Sequence, residues 1–196
     1  MKNIIEKSLQ NGISYQEYRT LVSDLLEEGK STGETQSDAL LNYSFLNDKR
    51  MKRLDKTIHL SEETIATVKD VKEPQTWLVL TESWCGDAAQ LLPVINKIAN
   101  ESENINLKVV LRDENEELMN QFLTNGGKSI PKLIAIDKNK EVINSWGPRP
   151  TIATKMVSDY KAKNGSLDAD FKQELQVWYN KDKGISVQED FVEMLK

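Results

Sequence analysis

Cys85 is the residue of this chain with the plainest reactive chemistry, and its surroundings say what that chemistry is. It stands in Trp84-Cys85-Gly86-Asp87-Ala88, between an apolar run that ends at Leu80 and a stretch with helical spacing that starts at Gly86. A sulfur at a helix start lies under unpaired backbone N–H groups and the positive end of the helix dipole, which lower a thiol pKa below its free value of about 8.5. The thiolate is the nucleophile that attacks disulfides, and it is also the form that peroxide oxidises to a sulfenic acid. A free cysteine is elsewhere commonly a small buried hydrophobe. Trp84 and Gly86 at a helix start favour instead an exposed and reactive Cys85. Asp87 carries two readings. Its carboxylate raises the thiol pKa by like-charge repulsion, or it caps first-turn N–H groups and suits the dipole. Trp84 reads as a lid on the sulfur in preference to ordinary packing.

One cysteine also sets limits. With one Cys and one His, the chain forms no internal disulfide and no Cys/His zinc site, so neither a metal nor a cofactor is expected. Twenty-six Lys+Arg against 31 Asp+Glu give a net charge of −5 and a pI near 5.1, which removes the general attraction to a phosphate backbone and with it nucleic acid as a partner. The opening MKNIIEKSLQ reaches Glu6 and Lys7 after two isoleucines, too soon for a signal peptide, and no run of about 18 apolar residues follows anywhere. No membrane partner is expected, and the expected compartment is the cytoplasm, where a lone thiol stays reduced.

The elements that must position Cys85 can be read from periodicity. Ser14 and Glu17 form a capping box for a helix carrying Tyr18, Leu21, Val22, Leu25 and Leu26, which stops at Glu28-Gly29. A second helix from Ser37 carries Leu40, Leu41, Tyr43, Phe45 and Leu46, then dissolves into Lys49-Arg50-Met51-Lys52-Arg53, a basic run read as a solvated face. Ser61 caps a helix to about Lys72. From there strands alternate with helices: a buried strand at 77–80, a helix at 86–100, a strand at 107–111, a helix at 116–124 ended by Asn125-Gly126-Gly127, and a hairpin of strands at 132–136 and 141–146. Helices follow from Thr151, with further ones at 167–180 and 187–195; Asn164-Gly165 marks a stop. The alternation argues for a βαβ unit with parallel strands and an antiparallel edge from the hairpin. His59, before the capping Ser61, reads as a surface residue.

Several of these markers resemble the thioredoxin superfamily in the right order over residues 75–147: a Trp-Cys at a strand-to-helix turn, Pro93 eight residues later, Ser129-Ile130-Pro131-Lys132-Leu133, and a hairpin ending at Trp146-Gly147. The segment LRDENEELMNQFLTNGGKSIPKLIA together with Trp-Cys-Gly-Asp-Ala further resembles a monothiol bacterial branch of thioredoxin-like proteins. The resemblance implies an α/β thioredoxin-like fold, a central mixed β-sheet flanked by helices, over 61–163. A helical N-terminal extension at 1–60 and extra C-terminal helices at 164–196 complete the chain. It implies that Cys85 is the catalytic residue, with Trp84, Gly86, Asp87, Ile130 and Pro131 binding substrate, and that the Ile130 backbone pairs with a substrate peptide. The spacing favours a cis Ile130–Pro131 bond over a proline that merely starts a strand.

Departures from the pattern are as informative. The second, resolving cysteine of the family falls on Ala88, and its buried carboxylate falls on Val79, leaving Glu82 as a substitute by proximity alone. The expected function is monothiol thiol–disulfide exchange: Cys85 forms a mixed disulfide with a protein disulfide or a low-molecular-weight thiol, and a thiol from outside the chain resolves it. The alternatives are a redox-inactive adaptor that holds a peptide beside Pro131, and a peroxide sensor. Gly147-Pro148-Arg149-Pro150 reads as a surface turn in preference to an anion contact.

Overall fold

A computed structural model describes residues 1–196. Its centre is β1 (Gln75–Thr81), whose Trp77, Leu78, Val79 and Leu80 are all fully buried because both faces of the strand are covered. β2 (Ile105–Leu111) runs parallel to it, reached through α5 (Gly86–Ala99). β3 (Lys132–Asp137) lies antiparallel on the other side of β1, and β4 (Val142–Trp146) antiparallel to β3 with a register shift at Ala135/Ile136. The order β2-β1-β3-β4, with its one parallel pair and antiparallel hairpin, is the mixed sheet flanked by helices that the resemblance implied.

Residues 1–60 supply three helices: α1 (Lys2–Asn11), α2 (Tyr15–Glu27) and α3 (Asp38–Thr57). The Ser14 capping box is present: Glu17 N–H donates to Ser14 Oγ (3.2 Å) and Ser14 N–H to Glu17 Oε2 (2.7 Å). Between α1 and α2, Ile13 exchanges two backbone hydrogen bonds with Val109, covering the free edge of β2. α1 has no capping side chain and buries only Ile5 and Ser8, so its sequence carries little helical signal. α3 does not stop at the basic run. Met51 within it and Leu54 just after it are buried and carry the helix on to Thr57.

α4 (Glu62–Lys69) starts at its Ser61 cap. α6 (Glu116–Met119) is one turn long, shorter than the 116–124 the sequence suggests, because Thr124 and Gly127 pair across Asn125-Gly126, both in the left-handed region as a tight two-residue turn requires. Three helices follow β4: α7 (Thr151–Asn164), α8 (Ala169–Asp182) and α9 (Ile185–Leu195). Phe191 of α9 sits edge-on between Trp77 and Trp146, with centroids at 5.0 and 5.2 Å. The larger core lies on the α5 face of the sheet; the smaller, with Leu78, Leu80, Ile134 and Cys85, lies under α1 and α6. No helix is long and apolar enough to cross a membrane.

Candidate functional site

β1 ends at Thr81, and four residues later Cys85 is the N-cap of α5. The turn between them closes when Cys85 N–H donates to the Glu82 carbonyl at 3.1 Å. The sulfur accepts the Ala88 N–H at 3.4 Å, and its S–H donates to the Ile130 carbonyl at 3.3 Å. The Ile130–Pro131 bond is cis, as is Gly147–Pro148. Cys85, Asp87, Ile130 and Pro131 therefore meet at the end of the sheet.

The expected exposure of Cys85 is corrected by the structure. The residue is only 9% exposed and belongs to the smaller core. Burial, with the Asp87 carboxylate second, pushes its thiol up to about 12; the Ala88 and Asp87 backbone N–H groups and Arg149 pull the other way. Amides at a helix terminus favour the thiolate, but here desolvation outweighs them.

Asp87 is largely buried and caps no first-turn amide. Its Oδ2 meets Arg149 Nη2 at 2.6 Å and its Oδ1 accepts the Tyr179 hydroxyl at 2.8 Å. Burial raises the Asp87 pKa against the pull of Arg149 and Tyr179. Of the two readings of Asp87, like-charge repulsion of the thiolate has a physical counterpart, and its place in the first turn of α5 suits the helix dipole, but the capping bond is not made. Arg149 was expected on a surface turn; the structure corrects this also. Gly147 has φ +110, and a Cβ on it would stand 2.3 Å from the Pro131 carbonyl oxygen, so only glycine lets this segment lie against Pro131. That close approach delivers Arg149 to Asp87.

The other side of the turn is held by polar residues of α3 and the Thr32 loop that carry no local marker of a site. Asn47 Nδ2 donates to the Ser83 carbonyl at 2.8 Å, and the Ser44 and Ser83 hydroxyls lie 2.7 Å apart. Thr32 N–H donates to Ser83 Oγ at 3.0 Å, and Ser83 N–H to Thr32 Oγ1 at 2.8 Å. Arg50, in the basic run read as solvated, is half-buried, and its Nη1 donates to Asn47 Oδ1 at 2.8 Å. A signal exists in hindsight: Ser44, Asn47, Met51 and Leu54 share one buried helix face, where two polar residues interrupt an apolar stripe.

Glu82 is fully buried, but it turns to the Asp113 N–H (3.0 Å) rather than to the thiol, and burial raises its pKa. Trp84 is half-buried against the smaller core, with the Arg112 guanidinium 4.8 Å from its ring centre. A Cβ on Gly86 would meet Gln176 Nε2 at 3.2 Å and Arg50 at 3.8 Å, so α8 and α3 both close on the start of α5. Five surface cavities of about 340 to 580 Å³ lie elsewhere, none lined by Cys85, Ile130 or Pro131. His59 is exposed and engages only through its carbonyl, which accepts Gln188 Nε2 at 3.2 Å.

A family described as Thioredoxin matches residues 33–161. The chain belongs to the thioredoxin family. Two solved structures share the fold at 15% identity and a TM-score of 0.57: an HIV epitope scaffold, aligned over 93% of this chain and 98% of its own, and a protein of unknown function from Pseudomonas aeruginosa, aligned over 93% and 97%. No curated protein matches. The match leaves out residues 1–32 and 162–196, yet Tyr179 and Gln176 from that second stretch reach the heart of this thioredoxin-family site. At the position of the family's second cysteine, Ala88 is packed in the smaller core, 2% exposed, and no sulfur other than that of Cys85 belongs to a cysteine.

Proposed function

We propose that this thioredoxin-family chain carries out thiol–disulfide exchange through the single sulfur of Cys85. The observation that carries the reading is the placement of that sulfur: at the α5 N-terminus, on the Ala88 N–H, and against the backbone of Ile130. In the forward step the Cys85 thiolate attacks one sulfur of a disulfide R–S–S–R′. The S–S bond breaks, a Cys85–S–S–R bond forms, and R′–S⁻ leaves with the electron pair and takes up the thiol proton. An external thiolate R″–S⁻ then attacks the R sulfur, forms R–S–S–R″ and returns Cys85 as the thiolate. With Ala88 at the second position, the resolving thiol comes from another molecule. Trp84, Gly86, Asp87, Ile130 and Pro131 would bind the partner, a protein disulfide in the first step and the low-molecular-weight thiol that resolves the mixed disulfide in the second.

One observation favours a second reading. A thiol pushed up to about 12 leaves on the order of one sulfur in 10⁵ ionised at pH 7. That suits an adaptor that binds an extended peptide beside Pro131 without turnover, by adding a strand. Incubation of the full chain with glutathione disulfide separates the two. Exchange predicts a single glutathione adduct on Cys85 by intact mass, released by added thiol and absent in Cys85→Ser. A wild-type protein that never forms the adduct refutes exchange. Partner binding and activity that survive in Cys85→Ser establish the adaptor.

A further inference from the structure

Cys85 caps α5, and α8 lies against the first turn of that helix through Gly86, Asp87 and Gln90. α8 buries only Phe171, Leu175 and Tyr179, one narrow stripe at four-residue spacing, whereas α5 beneath it buries ten of its 14 residues. Left-handed residues bound α8 at both ends, one in open space and the other, Gly184, packed on Val94 of α5. Gly165 before it has φ +79 with open space around it, and after it Lys183 (φ +55) and Gly184 (φ +78) are consecutive left-handed residues. What α8 brings to the site is a small polar set. The Tyr179 hydroxyl sits on Asp87 at 2.8 Å, Gln176 Oε1 accepts from Gln90 Nε2 at 3.0 Å, and Gln176 Nε2 presses on Gly86.

We propose that α8 is a lid over Cys85, hinged at Gly165 and at Lys183-Gly184 and latched by the Tyr179–Asp87 hydrogen bond. Local unfolding is cheapest where few apolar contacts hold an element down, and α8 is such an element. Lifting it removes Tyr179 and Gln176 from the α5 start while Asp87 keeps Arg149. Water then reaches the sulfur. The desolvation that keeps the thiol protonated falls, while the Ala88 N–H and Arg149 that favour the thiolate stay in place, as does the Asp87 carboxylate that opposes it. One motion would thus expose and ionise the nucleophile together. The use of the lid in exchange rests on the function proposed above; the opening itself does not.

The test is alkylation of the full-length protein by iodoacetamide across sub-denaturing urea, with global unfolding followed by circular dichroism. A lid predicts labelling of native wild type with a urea dependence well below that of global unfolding, because one helix exposes little surface. Tyr179→Phe removes the hydroxyl alone and should accelerate labelling about tenfold or more, the effect of losing one hydrogen bond to a charged group. Gln176→Ala should accelerate it less, with both unfolding midpoints near wild type. Labelling that occurs only through global unfolding overturns the lid, as does a Tyr179→Phe labelling rate equal to wild type. Parallel incubation with glutathione disulfide keeps the two proposals apart. Adduct formation accelerated in the same ratio as alkylation supports both, faster alkylation without any adduct retains the lid and refutes exchange, and adduct formation equally fast in both proteins refutes the lid.

Discussion

The Cys85 turn is held from its N-terminal side by α3 and the Thr32 loop, and from its C-terminal side by α8 and the Arg149 segment. The contrast between the two shows how a single site is both fixed and gated. On the first side, Thr32, Ser44, Asn47 and Ser83 are all at most 5% exposed and bonded to one another, so their hydrogen bonds gain from low dielectric and leave no room for slack. On the second, a half-exposed helix reaches the site through one tyrosine and one glutamine. Rigidity sits with the brace, mobility with the lid. Arg149 stands between the two: it belongs to the lid side, yet it holds the one buried charge beside the sulfur.

That position makes Arg149→Met the variant with the largest expected effect. It would strand Asp87 in the interior with only Tyr179, and removing one partner of a buried pair costs on the order of 3 kcal/mol. Without the cation, the folded pKa of Asp87 rises further. The lost stability is therefore greatest above that pKa and returns as the pH falls and the carboxyl takes a proton. Thermal unfolding at pH 5 and pH 8 checks this: a loss independent of pH would mean that Asp87 is not charged against Arg149.

Asn47→Ala comes next and tests the division between brace and lid. It leaves the Ser83 carbonyl and one Arg50 nitrogen unpaired, at a cost of about 2 kcal/mol, or roughly 4–8 °C in Tm for a chain of this size. If the brace is not the gate, native-state alkylation of Cys85 at low urea stays at the wild-type rate while the global midpoint falls. Tyr179→Phe should show the reverse pattern. An Asn47→Ala protein with a wild-type midpoint and fast alkylation would break the comparison.

The sequence made the framework legible where local signals agree with the fold. The Ser14 and Ser61 caps, the helix start near Ser37, the all-buried Trp77–Leu80 run and the hairpin are where periodicity and capping put them. Cys85, Asp87, Ile130 and Pro131 were grouped by the resemblance to the thioredoxin superfamily, whose markers fall here at a strand-to-helix turn and at a strand start. What surrounds them was not. Asn47, Gln176 and Tyr179 lie 38, 91 and 94 positions from Cys85 in the chain, and only tertiary packing joins them. The same packing reversed the expectation for the thiol. A helix N-terminus is a local property and lowers a pKa, but desolvation is set by α3, α8 and the sheet around it. Arg149 was misread for a related reason: its partner Asp87 is 62 positions away, and the close approach at Gly147 that joins them has no local signature.

The smallest effect concerns Glu82, which sets apart the rigid side most finely. Its Oε1 accepts the Asp113 N–H, while Oε2 is buried without a partner, and burial raises its pKa above the ordinary carboxylate value. A carboxyl whose folded pKa is raised adds stability that is fully present below the unfolded pKa of about 4.3 and is lost as the pH climbs through the folded value. Wild type should accordingly lose stability as the pH climbs from about 4.3 through that raised value. Glu82→Gln keeps an acceptor for Asp113 N–H and abolishes the ionisation. It should gain about 1 kcal/mol over wild type at pH 8, the low end of what a buried unpaired polar group costs, and nothing at pH 4. The measurement is the difference in Tm between the two proteins at those two pH values. A variant less stable than wild type at pH 8 would mean that the Glu82 charge is compensated within the brace, and that the first side of the site is held by electrostatics as well as by neutral hydrogen bonds.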